Sequence, residues 1–313
     1  MTAPVLGLAL GGGGARGLAH IGFVRTLLRA GIPIRVLTGT SMGAIVAVAF
    51  ALGDPERSGL VERIQEGRLL RETPIVPPPG PGEREGLLSR VRRLVAAERL
   101  LTSNLLGWGP PLLGEVMPLL QEATRGLNLE DAPVRVGVVA TDLEGGQRVV
   151  LTRGNAALAA MASAALPMVF PPVRIGRWLL VDGGFVELVP VLAARELGAT
   201  AVVAVDVGVD QPPGPVKNGL EALIRAAAIC TRLHTEQILS QADLVVRPRF
   251  AEPIDTMDFS KARIAIEAGV RAARAVLEDV RRLAGRPARA PAVGPAGDGE
   301  STGASQAPTV RPV

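Results

Sequence analysis

A serine stands in the pattern Gly-x-Ser-x-Gly, formed by Gly39, Ser41 and Gly43. A short apolar run precedes it and a longer one follows, which is typical of a strand, a tight turn and a helix. On such a turn the hydroxyl projects outward, the glycines relieve crowding, and the helix N-terminus favours negative charge. The pattern predicts a nucleophile at Ser41, and a helix N-cap serine is the structural alternative.

A glycine-rich run lies between the first predicted strand and the first helix. Gly11, Gly12, Gly13 and Gly14 follow one another, and Arg16 comes two residues later. Such a run lets backbone N–H groups converge on an anion. A dinucleotide fingerprint can be read in it, but no acid follows the second strand to hold a ribose, and the Walker lysine is missing. We therefore predict an oxyanion hole beside Ser41, with a dinucleotide site or a structural turn as alternatives.

An acid followed by two glycines comes directly after a later apolar run. Asp182 stands at the end of this predicted strand, and Gly183-Gly184 would keep the surroundings open. This makes Asp182 a candidate general base. The alternative is a turn aspartate, since Asp-Gly is common in turns.

Two histidines, His20 and His234, leave a second arrangement open. An α/β-hydrolase uses the chain order Ser, Asp, His, which His234 satisfies together with Asp182 or Asp206. His234 falls inside a long helical pattern, however, and His20 lies one turn after Arg16 on the first helix. We expect structural roles for both histidines.

Alternating strand and helix patterns must position these residues. Short connections and the order β-α-β-α at the start predict an α/β fold with a mainly parallel sheet. The predicted elements are strands at Val5–Leu10, Ile34–Leu37, Val134–Ala140, Val149–Leu151, Trp178–Val181, Ala201–Val207 and Asp243–Val246, and helices at Ala15–Ala30, Met42–Leu52, Ala156–Ala165, Leu188–Leu197, Gly219–Leu239 and Ser260–Leu283.

Composition excludes several classes of protein. The 313 residues carry a net charge of +4 and 3% aromatic residues, so nucleic-acid binding is not indicated. One cysteine, Cys230, allows no intrachain disulfide, and we expect it to be a buried apolar residue. With two histidines no zinc site is expected. The N-terminal strand lacks the features of a signal peptide, and no apolar run approaches the ~20 residues of a membrane span. We expect a cytoplasmic protein.

Taken together, the motifs resemble those of the patatin-like phospholipases, and most of all the compact bacterial members. The resemblance extends from about Val5 to about Gly285 and is weakest in the middle. It rests on four segments in this order: Gly11–Gly17, Gly39–Gly43, Ala162–Pro172 and Val181–Gly184.

The resemblance implies a three-layer α/β/α fold and hydrolysis of acyl esters of phospholipids or lysophospholipids, with no metal and no organic cofactor. It implies a Ser41–Asp182 dyad without histidine. Backbone N–H groups of Gly12, Gly13 and Gly14 would form the oxyanion hole, supported by Arg16. Glu187 departs from the small or amide residue that many relatives carry after the Asp-Gly-Gly turn, which puts the acyl pocket in doubt.

The domain organisation expected is a hydrolase domain over residues 1–285, with a lid-like insertion at 54–130, and a disordered tail at 286–313. Within the insertion, Leu87–Leu101 has helical apolar spacing with four interspersed arginines. We expect either a helix that contacts a membrane peripherally near the active site or an ordinary packed surface helix. The expected partner is a lipid or acyl-ester substrate, and a non-catalytic regulator with the same fold is the rival function.

Overall fold

A mixed sheet with helices on both faces forms the centre of the computed structural model. The structure describes residues 4–53, 113–167, 169–208, 214–285 and 310–312. The nine strands are β1 (Leu6–Leu10), β2 (Ile34–Thr40), β3 (Arg135–Asp142), β4 (Gln147–Leu151), β5 (Val173–Ile175), β6 (Trp178–Asp182), β7 (Ala201–Val205), β8 (Leu244–Arg247) and β9 (Val310–Pro312).

Nine α-helices are present within these ranges. They are α1 (Ala19–Arg29), α2 (Met42–Leu52), α3 (Leu113–Ala123), α4 (Ala156–Ser163), α5 (Gly184–Glu187), α6 (Val191–Glu196), α7 (Gly219–Leu239), α8 (Ala262–Ala275) and α9 (Leu277–Gly285). Short 3-10 turns lie at Gly14–Leu18, Leu129–Asp131 and Phe259–Lys261.

The strand order is β5-β6-β3-β2-β1-β7-β8-β9, and β4 pairs with β3. The pairs β1–β2, β1–β7, β2–β3, β7–β8 and β8–β9 are parallel, whereas β3–β4, β3–β6 and β5–β6 are antiparallel. The prediction of a mainly parallel sheet in a three-layer α/β/α fold is confirmed.

Alternating side chains of the central strands supply the two faces of the core. Leu6, Leu8 and Leu10 of β1 pack with the helices on one face, while Ala9 points to the other. This period of two is what a strand buried on both faces requires. Helix α2 is apolar on all sides, and ten of its eleven residues are buried.

The expected insertion at 54–130 is described only from residue 113 onward. There α3 packs against α4, and Leu120, Ala123 and Leu129 belong to the main core rather than to a separate cover. The segment Leu87–Leu101 lies outside the described residues. Of the tail at 286–313, expected to be disordered, the structure describes Val310–Pro312 alone, and these pair with β8 as a strand.

Candidate active site

Ser41 occupies a strained turn between β2 and α2. Its φ of 54° is one of two positive values outside glycine in the described residues, and such a conformation costs on the order of 1–3 kcal/mol. The turn is tight on both sides, since a Cβ on Gly39 would overlap the carbonyl oxygen of Gly43, and a Cβ on Gly43 would overlap that of Leu10. The two flanking glycines are therefore required by close backbone approach.

The Ser41 side chain does not cap α2. It stands at the N-cap position, yet it makes no side-chain cap hydrogen bond. Instead its hydroxyl lies close enough to the carboxyl group of Asp182 to lower the pKa of that group as a hydrogen-bonding neighbour. The N-cap interpretation of this serine is therefore wrong, and the first turn of α2 keeps free N–H groups that favour negative charge beside Ser41.

Asp182 reaches Ser41 from an antiparallel strand. Register places Asp182 opposite Ala140 of β3, while Val139 lies opposite Thr40 of β2, the residue before Ser41. Strand β6 thus runs inward from the carboxyl edge of the sheet and ends level with the serine turn. Sequence patterns predicted the strand and its final acid but not this direction.

The Asp182 carboxyl group is 6% exposed. Burial raises its pKa to about 6, against hydrogen bonds from the Gly184 N–H and the Ser41 hydroxyl that lower it. The Gly184 bond is 2.7 Å long and fixes one carboxylate oxygen. The raised pKa brings Asp182 closer to the range in which a carboxylate acts as a general base at neutral pH.

The glycine-rich run lies against the serine, because a Cβ on Gly12 would be 3.2 Å from Ser41 Cβ. The N–H of Gly11 donates to Val205 O at 3.0 Å, and that of Gly12 to Leu188 O at 2.9 Å. These bonds anchor the loop, and the second occupies one of the three expected oxyanion donors, the N–H group of Gly12. Within the described residues, the N–H groups of Gly13 and Gly14 have no hydrogen-bond partner.

Arg16 and His20 hold the glycine-rich loop in place through hydrogen bonds. Arg16 donates to the carbonyl oxygens of Val207 at 3.1 Å and Ile254 at 2.8 Å. His20 is fully buried, and its Nε2 lies 2.7 Å from Gly11 O. Burial lowers the pKa of His20 to about 4, so the ring is neutral, and Nε2–H must be the donor because a carbonyl oxygen only accepts. The structural roles expected for both residues agree with this geometry.

The second histidine lies outside the Ser41–Asp182 pair. His234 is exposed on α7, and its Nε2 lies 3.0 Å from Val186 O. Asp206 is bound to Arg232 at 2.8 Å and Arg247 at 3.0 Å. The structure therefore brings together neither Asp206 and His234 nor His234 and Ser41.

The Glu187 side chain binds Arg148 and backbone N–H groups of the neighbouring helix. It is fully buried, forms an ion pair with Arg148, and its Oε1 accepts the Leu192 N–H at 2.7 Å near the start of α6. Its carboxylate is thus compensated within the fold, by an ion pair and a backbone N–H. Cys230 is exposed on α7, so the expectation of a buried cysteine is wrong.

Ser163 is a site residue to which sequence patterns assigned no role. Its Oγ accepts the Ser41 N–H at 2.9 Å and donates to Val139 O at 2.5 Å. A fully buried hydroxyl therefore holds the strained serine turn against β3. The signal was its place in the Ala162–Pro172 motif, which gave no hint of the partner.

Replacing Ser163 by Ala should lower turnover on a soluble ester about tenfold with little change in KM. The substitution leaves the Ser41 N–H unsatisfied, which costs about 1–3 kcal/mol, and part of that cost falls on the turn. Steady-state kinetics beside a thermal unfolding curve check this. A fall in melting temperature with turnover unchanged would make Ser163 a purely structural residue.

The antiparallel strand β6 brings an acid to a serine on a strand–turn–helix, and this arrangement defines a class of α/β proteins. Residues 8–195 match the family described as Patatin-like phospholipase, and the chain belongs to that family. Within the described residues no metal-binding cluster of His, Cys, Asp or Glu occurs, and no helix there is both long and apolar enough to cross a membrane.

Several curated proteins are similar in sequence. Patatin-like phospholipase domain-containing protein 7 of Mus musculus is 28% identical over 89% of this chain and 21% of its own length. An uncharacterized NTE family protein of Mycobacterium tuberculosis is 28% identical over 87% of this chain and 46% of its own length. The chain thus spans between a fifth and a half of the length of these relatives.

Two solved structures were matched over most of this chain. VipD from Legionella pneumophila is matched over 88% of this chain and 67% of that chain, with 14% identity and a TM-score of 0.42. The ExoU–SpcU complex of Pseudomonas aeruginosa is matched over 90% of this chain and 52% of that chain, with 19% identity and a TM-score of 0.38.

Proposed function

We propose that this chain hydrolyses acyl esters of lipids, of the phospholipase A, lysophospholipase or esterase type, with Ser41 as nucleophile and Asp182 as general base. The observation that carries the proposal is that the strand register places the buried Asp182 carboxyl group level with the Ser41 turn, where the Ser41 hydroxyl is its hydrogen-bonding neighbour. Family membership supports the substrate class, since the family is named for phospholipases.

In the first half-reaction Ser41 Oγ attacks the ester carbonyl carbon while Asp182 takes the hydroxyl proton. The negative charge that develops on the carbonyl oxygen meets the free N–H groups of Gly13 and Gly14 and the N-terminus of α2. Each such donor is typically worth about 10²–10³ in turnover. Asp182 then returns the proton to the leaving alcohol, and a water molecule releases the acyl group by the reverse sequence.

The general test is hydrolysis of a short-chain p-nitrophenyl ester in the presence of a chelator. The proposed dyad needs no metal, so we expect turnover that the chelator leaves unchanged. A folded protein without turnover, and without reaction with a fluorophosphonate, would favour the non-catalytic regulator instead.

The donor assignment predicts that Gly13→Ala loses roughly 10²-fold in turnover. The added Cβ would lie 2.7 Å from Val207 Cγ2, so this contact must relax, and a shift of the loop would turn its N–H groups away from Ser41. Turnover on a soluble ester measures this loss.

The matched control is Val207→Ala, which makes room for the new methyl group. Alone it should keep most activity, and combined with Gly13→Ala it should restore part of the loss. A fully active Gly13→Ala variant would contradict the donor assignment.

A further inference from the structure

Helix α7 is longer than the strands it connects. Its 21 residues span about 31 Å at 1.5 Å each, whereas β7 and β8, of five and four residues, cover about 17 Å or less. Among the residues of α7 whose burial is described, Thr235, Ile238 and Leu239 are buried, all in its last turns. The N-terminal half of α7 therefore extends past the carboxyl edge of the sheet, where Ser41 lies.

This projecting half and the turn that follows it carry large apolar side chains in solvent. Exposed fractions are 67% for Leu223, 53% for Ile224, 52% for Ile229 and 64% for Leu233. Ile224 lies about three helical turns before Thr235 and thus on the same side of the helix, yet Thr235 is buried. The side of α7 that is buried near its C-terminal end is therefore exposed to solvent near its N-terminal end.

Helix α7 approaches the proposed catalytic residues just after Leu233. His234 Nε2 lies 3.0 Å from Val186 O, which links α7 to the short helix that follows Asp182 and Gly183. On that short helix Phe185 is 47% exposed, three residues from Asp182. The exposed apolar surface thus runs from the projecting part of α7 to the edge of the candidate active site.

Charges on α7 are compensated within the chain. Arg225 pairs with Glu221 at 3.5 Å and donates to Gly214 O at 2.6 Å, and Arg232 pairs with Asp206 at 2.8 Å. The exposed apolar surface of α7 therefore carries no uncompensated charge that would attract a strongly charged partner. Exposed patches of this kind mark protein or membrane contacts.

Two features favour lipid over a second copy of the chain. A partner helix covers only one side of a helix. Ile224 points to the side opposite Ile229 and Leu233. Acyl chains can contact all three side chains at once, whereas a flat protein surface cannot. The surface also continues to a site whose proposed substrates carry acyl chains. We propose that the exposed apolar side chains of α7 between Leu223 and Leu233, with Phe185, dock on zwitterionic lipid surfaces and present Ser41 to the lipid, an inference that rests on the proposed hydrolase function.

The test is flotation of the full chain with phosphatidylcholine vesicles. Wild type should float, and raising the salt severalfold should change this little, because apolar insertion is not screened. The triple variant Leu223→Ser, Ile224→Ser, Leu233→Ser should bind at least about tenfold more weakly. Leu28→Ser is the matched control, since Leu28 is an exposed apolar residue of α1, and it should float like wild type.

Cys230 supplies a second measurement because it is the single cysteine of the chain and lies exposed on α7. A polarity-sensitive fluorophore on its thiol should shift to the blue when vesicles are added. Vesicle binding that survives the triple substitution, or wild type that ignores vesicles, overturns the proposal. Dimers that the triple substitution dissociates, with ready Cys230–Cys230 crosslinking and no flotation, would make the surface a self-association interface.

Hydrolysis of the soluble ester separates this inference from the proposed function. The triple variant should keep wild-type turnover on that ester and lose activity on vesicles alone. Absent ester hydrolysis in wild type would refute the hydrolase, whereas normal ester hydrolysis without flotation would refute only the docking surface.

Discussion

Replacing Ser41 by Ala is expected to lower turnover on a soluble ester by roughly 10⁴-fold or more. The variant has no hydroxyl to form the acyl intermediate, so it should also fail to react with a fluorophosphonate. The fold should tolerate the change, since the Ser41 side chain is partly exposed and its cap position carries no side-chain hydrogen bond. Steady-state kinetics and mass mapping of the labelled peptide are the measurements.

The matched control is Ser240→Ala, at the residue that follows α7. Ser240 is exposed and its hydroxyl donates to Gln237 O, so labelling and turnover should match wild type. Label found on Ser163 in place of Ser41 would overturn the assignment. That outcome conflicts with the structure, in which the Ser163 hydroxyl is buried between Ser41 N–H and Val139 O.

The parts of this site that sequence predicts well are those set by local chemistry. The bounds of α2, Met42–Leu52, agree with the prediction because a continuous apolar run begins at the glycine-flanked serine and ends at Gly53. The same holds for α7, which begins after Asn218, whose side chain accepts the Glu221 N–H. Strand-turn-helix signals of this kind involve neighbours in the chain.

What sequence did not predict depends on distant partners. The N–H of Gly12 is occupied because Leu188, far along the chain, offers its carbonyl oxygen. Glu187 is buried because Arg148 and the start of α6 meet it there. Cys230 is exposed because α7 outruns the sheet, and the composition of a helix does not state the length of the strands beside it.

Two elements gave no clear local pattern. Helix α3 contains Pro118, a residue that usually interrupts helices, and it fell within a segment interpreted as a separate insertion. Strand β5 is three residues long and pairs only with β6, too short for period-two alternation to be visible. Tertiary packing against α4 and β6 stabilises both.

Asp182→Asn is expected to be nearly as damaging to turnover as Ser41→Ala, because an amide cannot take the serine proton. His234→Ala and His20→Ala should keep substantial activity, since neither ring hydrogen-bonds to Ser41 or Asp182 in the structure. A folded His234→Ala variant without activity would instead indicate a histidine-containing triad.

The stability of Asp182→Asn should not fall with its activity. Burial raises the pKa of Asp182 to about 6, so its charged form is disfavoured by folding.

The pH dependence follows from the same pKa. A carboxyl group whose folded pKa is raised stabilises the fold fully below its unfolded pKa and loses that contribution as pH rises through the folded value. At pH 8 wild type therefore bears a cost on the order of 2–3 kcal/mol that Asn avoids, while the amide oxygen can still accept the Gly184 N–H. Asp182→Asn should be as stable as wild type or more so in urea unfolding at pH 8, with the advantage vanishing near pH 4.

Wild-type turnover should fall about tenfold per unit below pH 6, as the base becomes protonated, and the residual activity of Asp182→Asn should lack that inflection. An inflection that persists in the variant would assign the titrating base to another group.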